Sequence, residues 1–450
     1  MVGCTELAAS MGSDSGQPRG QWNSGTGFIL AAAGSAVGLG NIWKFPYITG
    51  ENGGGAFVGV YLLCILLVGV PVMIAEILLG RATRSSPVRA FQVQTPRSPW
   101  IGVGMMGVLA AFLLMSYYST VAGWALHYTY LSVTNSIHGA GAEQVQGLFE
   151  SLTSSPLVGV VWQVVFIVIT VLLAVAGVSK GIERCGLVMM PGLFVLLVIL
   201  LGKAMTMPGW GDGFDFIFGM RFDNLTAAGV LEALGHSFFT LSLGMGAMIT
   251  YGSYLRRKDD LVSASLATAA TDTVVALVAS MVVFPIVFTF GLEPGAGPGL
   301  LFVTLPTALA QMTGGAVLSV VFFVMLVFGA VTSGIAMVEV IAAFMIDDFG
   351  MGRRKACLIG GAGVTLCGIP ATVSAIWFGR VDYLVSNWLL PLGGLGIALY
   401  VAWKMDRALR RNDFGSGSAL AKGYGIWLWG LKFPVPVCIG LVFLHAVGLI

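Results

Sequence analysis

Eleven runs of about twenty apolar residues, each bounded by charges or by Gly/Pro clusters, constrain this 450-residue chain more than any other feature. They lie near 25–49, 55–80, 102–131, 157–177, 187–206, 228–254, 261–291, 316–346, 356–377, 382–403 and 425–448. A hydrocarbon core about 30 Å thick takes about twenty helical residues to cross, and a lipid-spanning segment must pair its own backbone groups. Only 10% of the residues are charged, against about 25% in soluble domains, and mean hydropathy is +0.90. The fold class is therefore an all-α polytopic membrane protein with about eleven transmembrane helices. The balance of 23 Lys+Arg against 21 Asp+Glu excludes a basic nucleic-acid binder. The six cysteines are scattered, mostly in apolar runs, with no CxxC and no Cys/His cluster at metal-ligand spacing, so they read as inert buried thiols.

Orientation follows from the basic residues, because Lys and Arg stay on the cytoplasmic side. With the N-terminus inside, the inner segments hold 18 of the 23, among them Arg256, Arg257, Lys258, Arg353, Arg354, Lys355, Lys404, Arg407, Arg410 and Arg411. The polar first 24 residues lack an apolar core and a cleavage pattern, and read as a cytoplasmic tail, with Met11 as an alternative start. Eleven spans then place the C-terminus outside the cytoplasm.

Two runs have glycine-rich polar middles, 33–41 (AGSAVGLGN) and 240–247 (TLSLGMGA). Glycine costs a helix interior about 1 kcal/mol relative to alanine, so these clusters mark helices that break. Broken backbone inside a bilayer survives only against protein or a water-filled cavity. The breaks stand five spans apart, and a five-span unit repeated in tandem emerges inverted because five is odd, which is the plan of secondary transporters. The expected division is a cytoplasmic tail over 1–24, a first five-helix repeat over 25–206, a second, inverted repeat over 228–403, a cytoplasmic loop over 404–424 and an eleventh helix over 425–450.

The residues that carry these features resemble a known family. Gly34 through Pro46, Glu51 through Phe57, Gly80-Arg81, Tyr117-Tyr118, Ser179 through Arg184, Phe238 through Tyr254 and Thr332-Ser333 are together similar to the neurotransmitter:sodium symporter family, in particular its bacterial amino-acid transporters with the leucine-transporter-like fold. The resemblance spans about residues 19–403 and implies a sodium-coupled symporter of the bacterial inner membrane, working by alternating access. Two sodium ions are expected. One would be held by the carbonyls of Gly34, Val37 and Gly329 and the hydroxyls of Thr332 and Ser333; the other by Ala36, Asn41, Thr240, Asp272 and the substrate carboxylate. Where the family often carries asparagine, this chain has Asp272, a carboxylate that lipid discourages unless it serves a function. Chloride-dependent relatives hold an anion in the neighbourhood that matches Tyr61, His236, Thr240, Asp272 and Ala276. Asp272 would supply that negative charge itself, so transport is expected to be independent of chloride, with the carboxylate returning as a proton carrier.

For the substrate, the resemblance implies a neutral amino acid. Gly38 stands where monoamine transporters have an aspartate, leaving room for a free carboxylate that meets Leu39 and Gly40 N–H groups and Tyr118. The ammonium would meet Ala36, Phe239, Thr240 and Ser242. Leu114, Tyr118, Phe239, Met245, Ser333 and Met337 would line an uncharged pocket suited to large apolar or aromatic side chains, with flexible Met245 between two glycines. The outer gate would be Lys44 and Asp382 above Phe239; the inner gate would be Arg19, Trp22, Tyr254 and Asp347. Glu76 matches a family position, and Glu339 carries no expected role. No HExxH, nucleophile elbow or P-loop is present, and the four histidines form no cluster, so no catalytic residue and no enzyme is expected. The alternative reading, a non-transporting amino-acid sensor or a channel on the same scaffold, would leave gates or sodium ligands degraded, and they are intact.

Overall fold

The computed structural model describes residues 20–222, 225–294 and 297–446. Among these residues the chain is helical with no strand. The long helices follow the apolar runs: α1 (Gly25–Ala36) and α2 (Gly40–Glu51), then α3 (Gly55–Thr83), α4 (Ile101–Val133), α5 (Pro156–Val175) and α6 (Val178–Ala204). The second half has α7 (Ala227–Thr240), α8 (Ala247–Gly252), α9 (Leu261–Thr289), α10 (Gly315–Phe349), α11 (Arg353–Val373) and α12 (Ala375–Lys404). A short α13 (Arg407–Gly415) leads to α14 (Tyr424–Lys432) and α15 (Pro434–Ala446).

Among the described residues nine helices are long and apolar enough to cross a membrane, and ten once α1 and α2, bent by 46°, count as one span. The remaining expected span, 228–254, is divided into α7 of 14 residues and α8 of 6, each too short to cross alone. The turn between them explains the break. Ser242, Gly244 and Gly246 have φ of 55°, 78° and 75°, a left-handed backbone that ends a helix and favours glycine. A Cβ on Gly244 would stand 2.0 Å from the Leu390 carbonyl oxygen, so close packing requires glycine there as well.

Helices α4, α5, α10 and α11 pack on one another as one wall, while α1, α3, α8 and α9 form a second group leaning against it. Leucines and valines such as Leu66 (62% exposed), Leu172 (64%) and Leu366 (69%) face outward, whereas Asn41, Glu76, Asp272 and Glu339 are wholly buried. Apolar outside and polar inside is the distribution that lipid selects. The two breaks lie between the walls.

Candidate functional site

Each break exposes backbone groups that a continuous helix would pair, and side chains from the same span, from neighbouring helices and from the opposite break satisfy them. Gly38 N–H donates to Asn41 Oδ1 at 3.0 Å, and Leu39 N–H to the Tyr118 hydroxyl at 3.4 Å. In the second break, Gly244 N–H donates to Glu76 Oε1 at 2.6 Å, which gives Glu76 a role. Ser242 ties the breaks together, its hydroxyl donating to the Ser35 carbonyl at 2.9 Å. A buried backbone group left unpaired would cost about 1–3 kcal/mol, so these four side chains make the break tolerable.

Two oxygen clusters flank the breaks. In the first, Ser333 donates to the Gly34 carbonyl at 3.4 Å, and Thr332 donates to the Phe328 and Gly329 carbonyls at 3.0 and 3.1 Å. A hydroxyl that donates backward keeps its lone pairs for a cation. Glycine is required at position 38 for proximity, since a Cβ there would lie 2.3 Å from Ser333 Oγ, while one on Gly34 would make a tight 3.2 Å contact with Thr332 Cβ. Val37, fully buried, leaves the helix with ψ of 106°. The second cluster is built around Asp272. The Asn41 amide donates to its carboxylate at 2.7 Å and to its carbonyl at 2.9 Å, and Thr240 donates to both carboxylate oxygens at 3.1 Å. Both donors are neutral. A fully buried carboxylate served by neutral donors suits a hard cation, because the charge is supplied and the coordinating atoms are oxygens. Beside it, Tyr61 and His236 rings lie 5.6 Å apart.

Between the clusters is a cavity of about 20 Å³ lined by ten residues. Nine belong to the sequence-derived substrate set: Ala36, Gly40, Leu114, Tyr118, Phe239, Ser242, Met245, Ser333 and Met337. The tenth, Ser35, was missed; it directly precedes Ala36, and its buried hydroxyl has no hydrogen-bond partner among the described residues. Gly38, Leu39 and Thr240 border the site through the backbone and hydroxyl contacts above.

The cavity is shut at both ends. On one side Lys44 Nζ bonds Asp382 Oδ1 at 2.8 Å and stands 4.6 Å over the Phe239 ring, while Tyr117 and Ser386 each donate to Asp382 at 2.9 Å. Above this latch lies a vestibule of about 270 Å³. On the basic side Trp22, 1% exposed, donates its indole N–H to the Tyr251 carbonyl at 3.0 Å and packs on Phe28, Tyr251 and Tyr254. The Tyr254 hydroxyl donates to Glu339 at 2.6 Å, and Arg353 pairs with the same carboxylate while donating to the Ala174 carbonyl at 2.9 Å. Glu339 thus joins the packed cluster on the basic side. Asp347 accepts from Ser86 N–H at 2.6 Å; its expected partner Arg19 lies outside the described residues.

A family model described as the sodium:neurotransmitter symporter family matches residues 19–146 and 141–405. An uncharacterized sodium-dependent transporter of Bacillus subtilis (strain 168), YhdH, is 38% identical over 442 residues, covering 96% of this chain and 98% of the relative. An uncharacterized sodium-dependent transporter of Haemophilus influenzae is 32% identical over 449 residues, covering 95% and 98%. The crystal structure of MhsT in complex with L-phenylalanine is similar with a TM-score of 0.89 and 39% identity, covering 95% of this chain and all of that one.

Proposed function

The chain belongs to the sodium:neurotransmitter symporter family as an integral membrane, sodium-dependent transporter, and on that premise we propose that it imports a large neutral L-amino acid together with two sodium ions. The observation that carries the reading is the closed cavity between the two breaks, flanked by one oxygen cluster without net charge and one built on Asp272. One sodium belongs with Gly34, Val37, Gly329, Thr332 and Ser333. The other belongs with Ala36, Asn41, Thr240 and Asp272, completed by the substrate carboxylate.

The substrate carboxylate takes the space that Gly38 leaves open, and its side chain lies against Leu114, Met245 and Met337. MhsT, solved with L-phenylalanine, supports a substrate of this class. The basic end of the bundle faces the bacterial cytoplasm, with the N-terminus inside and the C-terminus outside, as the positive-inside rule requires. Lys44, Asp382 and Phe239 close the outer path. Trp22, Tyr254 and Asp347 close the inner one, with Arg19 as the partner of Asp347. The divisions 25–206 and 228–403 are the two inverted repeats. Asp272 replaces chloride, and once sodium and substrate have left, the uncompensated buried carboxylate takes up a proton and carries it outward.

The test is competition for uptake into proteoliposomes. Leucine, methionine, phenylalanine, tyrosine and tryptophan are expected to compete, and glutamate, lysine and tryptamine to fail. Tryptamine competing as well as tryptophan would contradict the role of Gly38.

A further inference from the structure

Helix α13 divides its charges between two faces. Arg410, Asp413 and Phe414, spaced three and four residues apart, point inward and are buried. Arg410 donates to the Val401 and Ala402 carbonyls at 2.6 and 2.8 Å and to the Tyr424 hydroxyl at 2.8 Å, which seals the end of α12. Asp413 pairs with Arg81 at the end of α3, 3.5 Å between Nε and Oδ2, and the same arginine donates to the Asp259 carbonyl at 2.7 Å. Ser416 donates to the Arg257 carbonyl at 2.7 Å. The inner face is therefore bolted to the bundle and holds α13 in one orientation.

The outer face carries Arg407 and Arg411, one turn apart and exposed, with exposed Lys404 three residues before. Its acid, Asp406, is engaged in capping the helix, accepting from Leu409 N–H at 2.8 Å. Beside these cations the wall becomes apolar and outward-facing: Trp403 is 61% exposed, Trp429 60% and Ile426 79%. Lys432, inside the last apolar run, lays its ammonium 4.7 Å over the Trp403 ring, so its charge is drawn to the same rim. Cations alone would suit any anion. Cations set against exposed tryptophan and isoleucine suit an anion with an acyl chain attached.

We propose that Lys404, Arg407, Arg411 and Lys432, at the foot of the Trp403–Trp429 wall, bind the headgroup of an anionic phospholipid. Its phosphate meets the exposed face of α13, and its chains lie along α14. The site is independent of the transported substrate, so its test needs no transport.

The purified full chain is incorporated into nanodiscs of phosphatidylcholine, and binding of a fluorescent phosphatidylglycerol is titrated. Replacement of Lys404, Arg407 and Arg411 by glutamine is expected to weaken that binding about fivefold for each charge removed. The charge-preserving pair Arg407→Lys and Arg411→Lys is expected to retain it, and millimolar inorganic phosphate is expected not to displace the lipid. Equal phosphatidylglycerol affinity in the glutamine variant would overturn the proposal, as would loss in the lysine variant equal to that in glutamine. Displacement by free phosphate would overturn it in favour of a soluble-anion site.

Discussion

The two oxygen clusters on either side of the breaks solve one problem by different means. Around Thr332 and Ser333 every oxygen is neutral, so a cation there must be held by the number and fit of the donors. Around Asp272 a carboxyl group is buried among neutral donors, so on the proposed reading a cation there would be held by charge, and the geometry could be looser. A neutral shell loses affinity gradually as single oxygens are removed. A charged shell fails with its carboxylate.

Asp272→Asn breaks the contrast most severely. Hydrogen bonds and contacts to a charged group are worth about 1.5–3 kcal/mol, so sodium affinity should fall about tenfold or more, and transport should stop or acquire a chloride requirement. An internal pH dye should fail to show the proton movement expected of the wild type. A variant that transports in gluconate with undiminished proton efflux would show that the aspartate is not the charge-compensating group.

Gly38→Ala tests proximity in place of charge. The added Cβ would stand 2.3 Å from Ser333 Oγ and 3.2 Å from the Gly329 carbonyl oxygen, displacing the neutral shell and the carboxylate space together. Substrate binding measured by scintillation proximity should drop beyond detection while the variant still elutes as folded protein; near-normal binding would place the substrate elsewhere. Thr332→Ala and Ser333→Ala each remove one oxygen from the neutral shell, and half-saturating sodium should rise about three- to tenfold, the range of one hydrogen-bond-sized contact. Should either variant match Asp272→Asn in severity, the gradual-against-abrupt contrast would be lost.

The smallest change is expected at the Lys44–Asp382 latch. Lys44→Arg supplies a planar fork to Asp382 in place of a point charge. A tighter latch should alter apparent substrate affinity by about threefold or less, read from initial uptake rates, without changing the sodium response. A sodium response that moved with it would couple the latch to the charged shell directly.

Much of this was legible in the sequence because periodic apolar runs and glycine clusters are local signals. The 240–247 cluster contains all three left-handed residues of the second break. Nine of the ten cavity residues could be named because family motifs surround both breaks. What escaped was long-range pairing. Glu339 looked like an acid without a function until the chain reversal after Phe349 brought Arg353 to it and the second break brought Tyr254. A buried acid followed, 14 residues later, by an arginine opening the next helix was the available signal. Ser35 escaped because a serine before a break reads as packing, and only the cavity shows its hydroxyl unpartnered. The two faces of α13 were hidden for a related reason: Arg410 and Arg411 are adjacent in a basic cluster, yet one is buried and the other exposed.

Concentrative uptake tests the central claim most directly. Proteoliposomes containing the chain are given labelled L-phenylalanine or L-leucine under an inward sodium gradient with gluconate as the anion, and under the matching potassium gradient. Sodium-coupled symport through a charged shell predicts accumulation above the outside concentration with sodium, without chloride, and none with potassium. Uptake that only equilibrates, that proceeds equally in potassium, or that appears only when chloride is restored would contradict the account.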